Sequence, residues 1–391
     1  MKKGFFARAG ALMLALALSI SLIGCSVDTG YTIEGGDTNN ITINQSGEDK
    51  TAAASKAMLS AVSVISVFGA SALQGSAQSN GSGVIYRISE GRTEAYIVTN
   101  YHVIYSAGYG ISRNIYLFLY GMEASEYAIN AEFVGGSMNY DLAVLKVTGS
   151  ELLMRSEAVA ADFADSDEVR ILDEVIAIGN ARGNGLSATV GHINVESEYI
   201  PLLAADERSS ITLRVMRTDA AVNHGNSGGG LFNTRGEVVG IVNAKSTDDA
   251  VDNMGYAIPS NVAKNIVDNI LYYCDGTSKT SVYRCLLGIT VESKNLRTSY
   301  NMEKGVVDVL EDITVSKINT GSVAASYFKV GDVIKTIQIG ESIEQVNRRH
   351  TLIDFMLMAR PGTAIKFEVL RDGAITAFEI IATEEMLEEY I

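Results

Sequence analysis

Apolar positions between residues 56 and 275 come in short runs separated by Gly, Asn, Asp and Ser breaks. The runs are Val62 to Phe68, Gly83 to Ile88, Ala95 to Val103, Asn114 to Tyr120, Ala128 to Val134 and Asp141 to Val147. Glu174 to Ile178, Ser187 to Val195, Thr212 to Arg217, Gly230 to Phe232 and Glu237 to Ala244 continue the series. Short strands punctuated by turn residues predict a barrel or a sandwich, and this many strands suits two small barrels. The period then changes. Pro259-Ser260-Asn261 precede Val262, Ile266, Ile270 and Leu271, an apolar stripe that predicts one closing helix.

Residues 281–385 read as a separate α+β unit. Gly321-Ser322 starts a short helix through Phe328, and Val333 to Ile339 is a strand. Val346 to Ala359 carries a helical stripe at Leu352, Phe355, Met356 and Ala359, stopped by Arg360-Pro361-Gly362. Ile365, Phe367 and Val369 alternate before Asp372-Gly373, a strong hairpin signal.

Composition fits this picture. The chain has 391 residues, 47% of them hydrophobic, which is enough for real cores in two or three domains. Its net charge of −15 gives no basic face for nucleic acid. Residues 1–25 stand apart from the fold. Lys2, Lys3 and Arg8 precede the apolar stretch Ala9 to Ile23, which has the length of a secretory signal and not of a membrane span. The end of that stretch, Leu22-Ile23-Gly24-Cys25, resembles a bacterial lipobox. That resemblance implies a lipidated Cys25 and attachment to the outer face of the cell membrane. Loss of three basic residues and no acidic one would take the charge from −15 to −18. Residues 26–55, rich in Ser, Thr, Gly, Asn and Asp, read as a tether. Export would permit a disulfide between Cys274 and Cys285, but two inert thiols is the preferred reading.

Candidate chemistry centres on Gly225-Asn226-Ser227-Gly228-Gly229-Gly230. By itself such a run is better read as a flexible turn. Its other reading is a nucleophile on a tight bend, with backbone N–H groups turned to one point. His102 follows an apolar strand, and Asp141 opens another. Each alone is an ordinary core-rim or turn residue. Together the three supply a nucleophile, a base and an acid that orients the base. Their chain order, His then Asp then Ser, is that of the two-barrel serine proteases.

The motif blocks resemble those of the HtrA (DegP-like) serine proteases. These are Thr99-Asn100-Tyr101-His102-Val103, Asp141-Leu142-Ala143-Val144-Leu145-Lys146-Val147 and Gly225-Asn226-Ser227-Gly228-Gly229. Thr218 to Asn223 and Gly255 to Ser260 resemble flanking blocks. The resemblance implies a mainly β fold, a two-barrel chymotrypsin-like protease domain over 56–275. It implies His102 as base, Asp141 as orienting acid and Ser227 as nucleophile. The oxyanion hole would be the N–H groups of Gly225 and Ser227, with Asn226 a further candidate. Ala221, Val242, Asn243 and Ala244 would line the substrate pocket, and Gly179 to Gly185 stands where the family has a specificity-pocket loop. His224 and Gly230 depart from the family pattern and suggest a looser nucleophile loop. Glu196 to Ser210 matches no family block. No cofactor or metal is implied.

The unit at 281–385 resembles a PDZ domain. By that resemblance Leu287, Gly288 and Ile289 hold a peptide carboxylate, and a peptide adds a strand beside Ile289 to Val291. The apolar end of Glu388-Glu389-Tyr390-Ile391 is itself a candidate occupant of that groove. The implied activity is ATP-independent endopeptidase action on misfolded or exposed extracytoplasmic proteins, in a homotrimer. Two alternatives stay open: a catalytically weak peptide-binding chaperone or sensor, and an esterase using the same three residues.

Overall fold

The computed structural model describes residues 50–69, 77–244, 254–302 and 305–390. The signal segment, Cys25 and the tether up to residue 49 lie outside them, as does Ile391. The first barrel is β1 (Ala61–Phe68), β2 (Ala77–Ile88), β3 (Glu94–Thr99), β4 (Asn114–Leu119), β5 (Ile129–Ser137) and β6 (Leu142–Thr148). It closes in the order β1-β2-β3-β6-β5-β4, every pairing antiparallel. The second barrel is β7 (Glu174–Gly179), β8 (Ser187–Leu203), β9 (Ser210–Thr218), β10 (Gly230–Asn233), β11 (Val238–Asn243) and β12 (Gly255–Pro259). It closes in the order β8-β9-β12-β11-β10-β7.

Several strands are apolar at almost every position because both of their faces are buried. In β3, Ala95 and Ile97 face the first barrel's interior, while Tyr96 and Val98 face the seam between barrels. In β6, Ala143, Leu145 and Val147 point inward and Leu142 and Val144 point to the seam. Strand β7 repeats the arrangement, with Val175 and Ala177 inside the second barrel and Ile176 and Ile178 at the seam. Side chains alternate across a strand, so a strand shared by two cores reads as a continuous apolar run.

The seam is covered by two helices. Helix α1 (Lys50–Ser60) buries Ala53 and Ala57 there, and Lys50 and Lys56 pair with Glu174 and Asp162. Residues 50–55 are therefore not tether: small alanines let the helix lie flat on the second barrel. The expected strand Ala95 to Val103 also ends early. It stops at Thr99, and Tyr101–Ile104 forms the short helix α2. Asp141 is the cause, since its carbonyl accepts both the Tyr101 N–H (3.1 Å) and the Asn100 side-chain amide (2.9 Å). Strand β8 runs eight residues past its expected end at Val195. Ile200 and Leu202 pack there with Ile211, Leu213 and Val215. The closing helix α3 (Ser260–Tyr273) buries Val262, Ile266 and Ile270 as its stripe predicts.

The C-terminal unit begins with β13 (Val282–Cys285). Its main sheet holds β14 (Ile289–Asn301), β15 (Val306–Ile318), β16 (Val333–Ile339), β18 (Ala364–Arg371) and β19 (Ala374–Ile381) in the order β14-β15-β16-β18-β19. Strand β17 (Ser342–Gln345) hangs on β16, and helix α4 (Arg349–Met356) covers one face. That helix is shorter than the expected Val346 to Ala359. The turn between β18 and β19 is Asp372-Gly373, with φ of 50° and 83°. Last comes β20 (Leu387–Tyr390), which pairs with β13, Tyr390 opposite Val282. The tail therefore does not lie beside Ile289 to Val291. Tyr390 instead meets Arg284 at 3.5 Å from its ring centre and Tyr140 edge-on at 5.3 Å.

The expected boundary at 275–281 is bridged by packing. Val282 and Leu357 are buried in the seam cluster with α3. Asn269 exchanges two hydrogen bonds with the Tyr283 backbone, at 2.8 and 3.0 Å. Arg214 of β9, 8% exposed, is ion-paired to Asp354 of α4 and to Asp167 (2.9 Å). Burial raises the Asp354 carboxyl to about 6, and holds His350, one turn earlier and flanked by Arg214 and Arg348, down at about 2. Cys274 and Cys285 are free, buried thiols, each pushed up to about 11 by burial.

Candidate active site

Asp141 sits just before β6, with φ of 50° and 3% exposure. A non-glycine residue pays strain for a left-handed backbone, which persists only where surrounding contacts hold it. Here they do. One carboxylate oxygen, Oδ1, accepts the His102 backbone N–H at 3.0 Å. The other, Oδ2, meets His102 Nδ1 at 2.6 Å and accepts the Asn243 side-chain amide at 2.8 Å. His102 stands on α2, three residues after β3 ends, so two backbone bonds to Asp141 fix the helix that carries it. Its side chain is 22% exposed, while that of Asp141 is 4% exposed.

Ser227 reaches this pair from the second barrel. Asn243 is the last residue of β11, and the N–H of the next residue, Ala244, donates to Ser227 Oγ at 3.2 Å. Among the described residues no hydrogen bond joins His102 to Ser227. The Oγ proton is not used by the Ala244 contact, because the oxygen is the acceptor there. The backbone around Ser227 is held plane by plane. The His224 carbonyl accepts the Arg182 N–H (2.9 Å), the Asn226 carbonyl accepts the Gly229 N–H (2.9 Å), and the Ser227 carbonyl accepts the Ser82 N–H (2.8 Å). The N–H groups of Gly225 and Ser227 have no partner among the described residues. Two of the loop's glycines are required. Gly225 has φ of 98°, and a Cβ there would lie 2.2 Å from the Asn180 carbonyl; Gly228 has φ of 83°, and a Cβ would lie 2.3 Å from the Ser82 carbonyl.

Comparison with known proteins agrees with this geometry. A trypsin-like peptidase domain model matches residues 81–241. The chain is 31% identical over 324 residues to the serine protease Do-like HtrA of Bacillus subtilis (strain 168), covering 81% of this chain and 66% of that one. It is 33% identical over 327 residues to the serine protease Do-like HtrA of Lactococcus lactis subsp. cremoris (strain MG1363), covering 76% and 74%. The solved structure of the HtrA-type protease AlgW with a tripeptide matches with a TM-score of 0.54 at 25% identity, over 87% of this chain and 97% of that chain. The chain belongs to the HtrA family of trypsin-like serine proteases. Its match spans about two thirds of the Bacillus relative's length.

Within this HtrA framework three sequence expectations change. Val242 does not face the cleft: it is fully buried in the second barrel's core beside Val175, Ala220 and Leu231. Strand alternation sends its neighbour Asn243 the other way, onto Asp141, so Asn243 is a partner of the acid and not a pocket wall. Ala221 remains exposed, its carbonyl accepting the Thr189 hydroxyl (3.0 Å), and Ala244 remains half-buried. The segment Gly179 to Gly185 braces the nucleophile loop through Asn180 and Arg182. Gly230 does not loosen that loop, because it is paired in β10 to Ile178 and Ile241. His224 is exposed and contributes its carbonyl.

The C-terminal groove is a cavity of about 240 Å³ lined by Leu287, Gly288, Ile289, Leu352 and Met356 among others. Phe355 lies in the core beneath and is not part of the lining. Strand β14 is the edge of its sheet, and Gly288 has φ of 81° with a Cβ position 2.3 Å from Ser322. Among the described residues no cluster of three or more His, Cys, Asp or Glu side chains could hold a metal ion, and no helix is long and apolar enough to cross a membrane.

Proposed function

We propose that this chain is a serine endopeptidase in which Ser227 attacks the scissile carbonyl, His102 takes and returns the proton, and Asp141 orients His102. The observation that carries the reading is the pairing of a held imidazole with an oxyanion site. His102 Nδ1 is bound to a buried carboxylate, and the same network leads through Asn243 and Ala244 to Ser227, whose own N–H and that of Gly225 have no partner among the described residues. With Nδ1 committed to Asp141, the other ring nitrogen is the base. The N–H groups of Gly225 and Ser227 would stabilise the tetrahedral oxyanion. Catalytic hydrogen bonds often tighten only when substrate binds, so the Ala244 contact on Oγ is read as the resting arrangement.

The unit at 281–385 is read as a PDZ domain. Its free edge at β14 and the cavity beside α4 fit an extended peptide whose apolar last side chain enters the cavity and whose carboxylate meets the backbone of Leu287, Gly288 and Ile289. Substrates would then be unfolded proteins with accessible C-termini. Two relatives are named as periplasmic endoproteases, DegP-like and DegQ, which agrees with export; lipidation of Cys25 and membrane anchoring rest on the N-terminal segment alone, and a homotrimer completes the reading.

The test is digestion of casein by the purified full chain beside Ser227→Ala, with a fluorophosphonate probe on both. Cleavage and labelling by the wild type alone are expected. Equal rates in the two would refute the nucleophile assignment. A wild type that binds apolar C-terminal peptides but neither cleaves nor labels would favour the chaperone or sensor reading, for which the Ala244 contact on Ser227 is the one supporting observation. Cys25→Ala should leave the membrane fraction.

A further inference from the structure

One buried side chain outside the three catalytic candidates joins the separate parts of the site. Ser82 lies on β2 of the first barrel and has 0% exposure. Its N–H donates to the Ser227 carbonyl at 2.8 Å, and its carbonyl accepts the Thr99 hydroxyl at 2.7 Å. Its hydroxyl donates to the Gly225 carbonyl at 2.7 Å and accepts the Asn180 N–H at 2.8 Å. A first-barrel residue thus grips two second-barrel loops at once. Space there is tight: a Cβ on Gly179 would lie 2.9 Å from Ser82 Oγ, and one on Gly229 would lie 3.2 Å from Ser82 Cβ.

The consequence follows from the peptide planes. The N–H of Gly225 shares a plane with the His224 carbonyl, and the N–H of Ser227 shares one with the Asn226 carbonyl. The plane between them carries the Gly225 carbonyl and the Asn226 N–H. It is pinned by Ser82 Oγ at one end and by the Asn223 carbonyl (2.9 Å) at the other. Turning that middle plane turns both neighbours, because they share its Cα atoms. The Asn180 N–H, also on Ser82 Oγ, holds the start of the turn whose Arg182 N–H fixes the His224 carbonyl.

We infer that Ser82 is a positioning residue for the oxyanion hole, its hydroxyl setting the directions of the Gly225 and Ser227 N–H groups. The inference rests on the reading of Ser227 as nucleophile. Without the hydroxyl, the Gly225 carbonyl and the Asn180 N–H lose their partner in a buried site. A buried group left unsatisfied is strongly unfavourable, so the loop rotates to find new partners and the two N–H groups turn with it.

The test compares Ser82→Ala with Ser63→Ala. Ser63 lies directly opposite on β1, is 2% exposed, and its hydroxyl has no hydrogen-bond partner among the described residues. For a peptide substrate, Ser82→Ala should lower kcat by about tenfold to a hundredfold with KM within about twofold, a loss of the size expected for a misdirected oxyanion donor. The Ki of a peptidyl trifluoromethyl ketone, which forms the oxyanion, should rise by the same factor. The Ki of the matching peptidyl alcohol, which does not, should stay put. Ser63→Ala should match the wild type, and Ser82→Cys, a weaker donor of similar size, should fall between. Wild-type kcat in Ser82→Ala, or equal loss of ketone and alcohol affinity, would overturn the inference. A wild type that neither cleaves nor labels would instead overturn the nucleophile reading on which it depends.

Discussion

Asn243→Ala is the sharpest probe of how the two barrels share one site. The Asn243 amide is the only second-barrel group among the described residues that hydrogen-bonds the Asp141 carboxylate, at 2.8 Å and with 1% exposure. Alanine removes that donor and leaves Oδ2 to His102 alone. Hydrogen bonds to charged groups contribute about 1.5–3 kcal/mol. Here the bond acts on the group that orients the base, so most of that loss should fall on the transition state, where the imidazolium leans on Asp141. The expected fall in kcat/KM is roughly tenfold to a hundredfold, since about 1.4 kcal/mol corresponds to tenfold. Asn243→Asp would place a second carboxylate against Asp141 and should be worse. The assay is steady-state hydrolysis of a chromogenic peptide, with unfolding midpoints to show that the barrels are intact. A kcat/KM within twofold of wild type would show that His102 alone holds Asp141 in place, and the argument would fail.

Two further outcomes follow from the C-terminal unit. His350 is held neutral down to about pH 2 in the fold, while an unfolded histidine takes a proton near 6.5, so its contribution to stability is present above 6.5 and is lost on acidification below it. Between pH 7 and pH 5 this amounts to about 2 kcal/mol. The raised Asp354 acts in the opposite sense, adding stability as pH falls from about 6 toward 3.8. Urea titrations should therefore show His350→Gln gaining on the wild type as pH falls from 7 to 5; a pH-independent difference would rule this out. Deleting Leu387 to Ile391 removes β20 and the Tyr390 contacts with Arg284 and Tyr140. It should lower the unfolding midpoint by roughly 5 °C and leave the affinity for apolar C-terminal peptides unchanged. A rise in that affinity would restore the view that the tail occupies the groove.

The parts of the molecule legible in its sequence are those governed by local pattern. Strand runs, the α3 stripe and the Asp372-Gly373 turn all depend on neighbours within a few residues, and seven of the eleven expected strand runs match the strands formed to within two residues at both ends. The structure departs from local pattern where a distant group decides. Asp141 diverts the chain after Thr99, and nothing in Tyr101-His102-Val103 announces it. The tail's pairing with β13 depends on two segments a hundred residues apart. Asn243 and Val242 share one expected role because they are adjacent, yet adjacent strand residues face opposite ways. A period-two reading of Val238 to Asn243 would have separated them, with Asn243 as the polar residue ending an apolar strand.

The same logic explains why the site lies where it does. Strands β3, β6, β7 and β11 are apolar on both faces because each serves a barrel interior and the seam. Where these strands end, the seam opens, and polar groups replace the apolar ones: Thr99 at the end of β3 and Asn100 after it, Asp141 before β6, Asn180 after β7, Asn243 at the end of β11. Each is buried, so each must find a hydrogen-bond partner, and the nearest partners belong to other strand ends. Asn100 and Asn243 converge on Asp141, while Thr99 and Asn180 converge on Ser82. Two polar hubs result, one under the imidazole and one under the nucleophile loop. The physical requirement that buried strand ends be satisfied thus builds both halves of the site from residues with no chemistry of their own, and it is at these hubs that single substitutions should separate activity from stability.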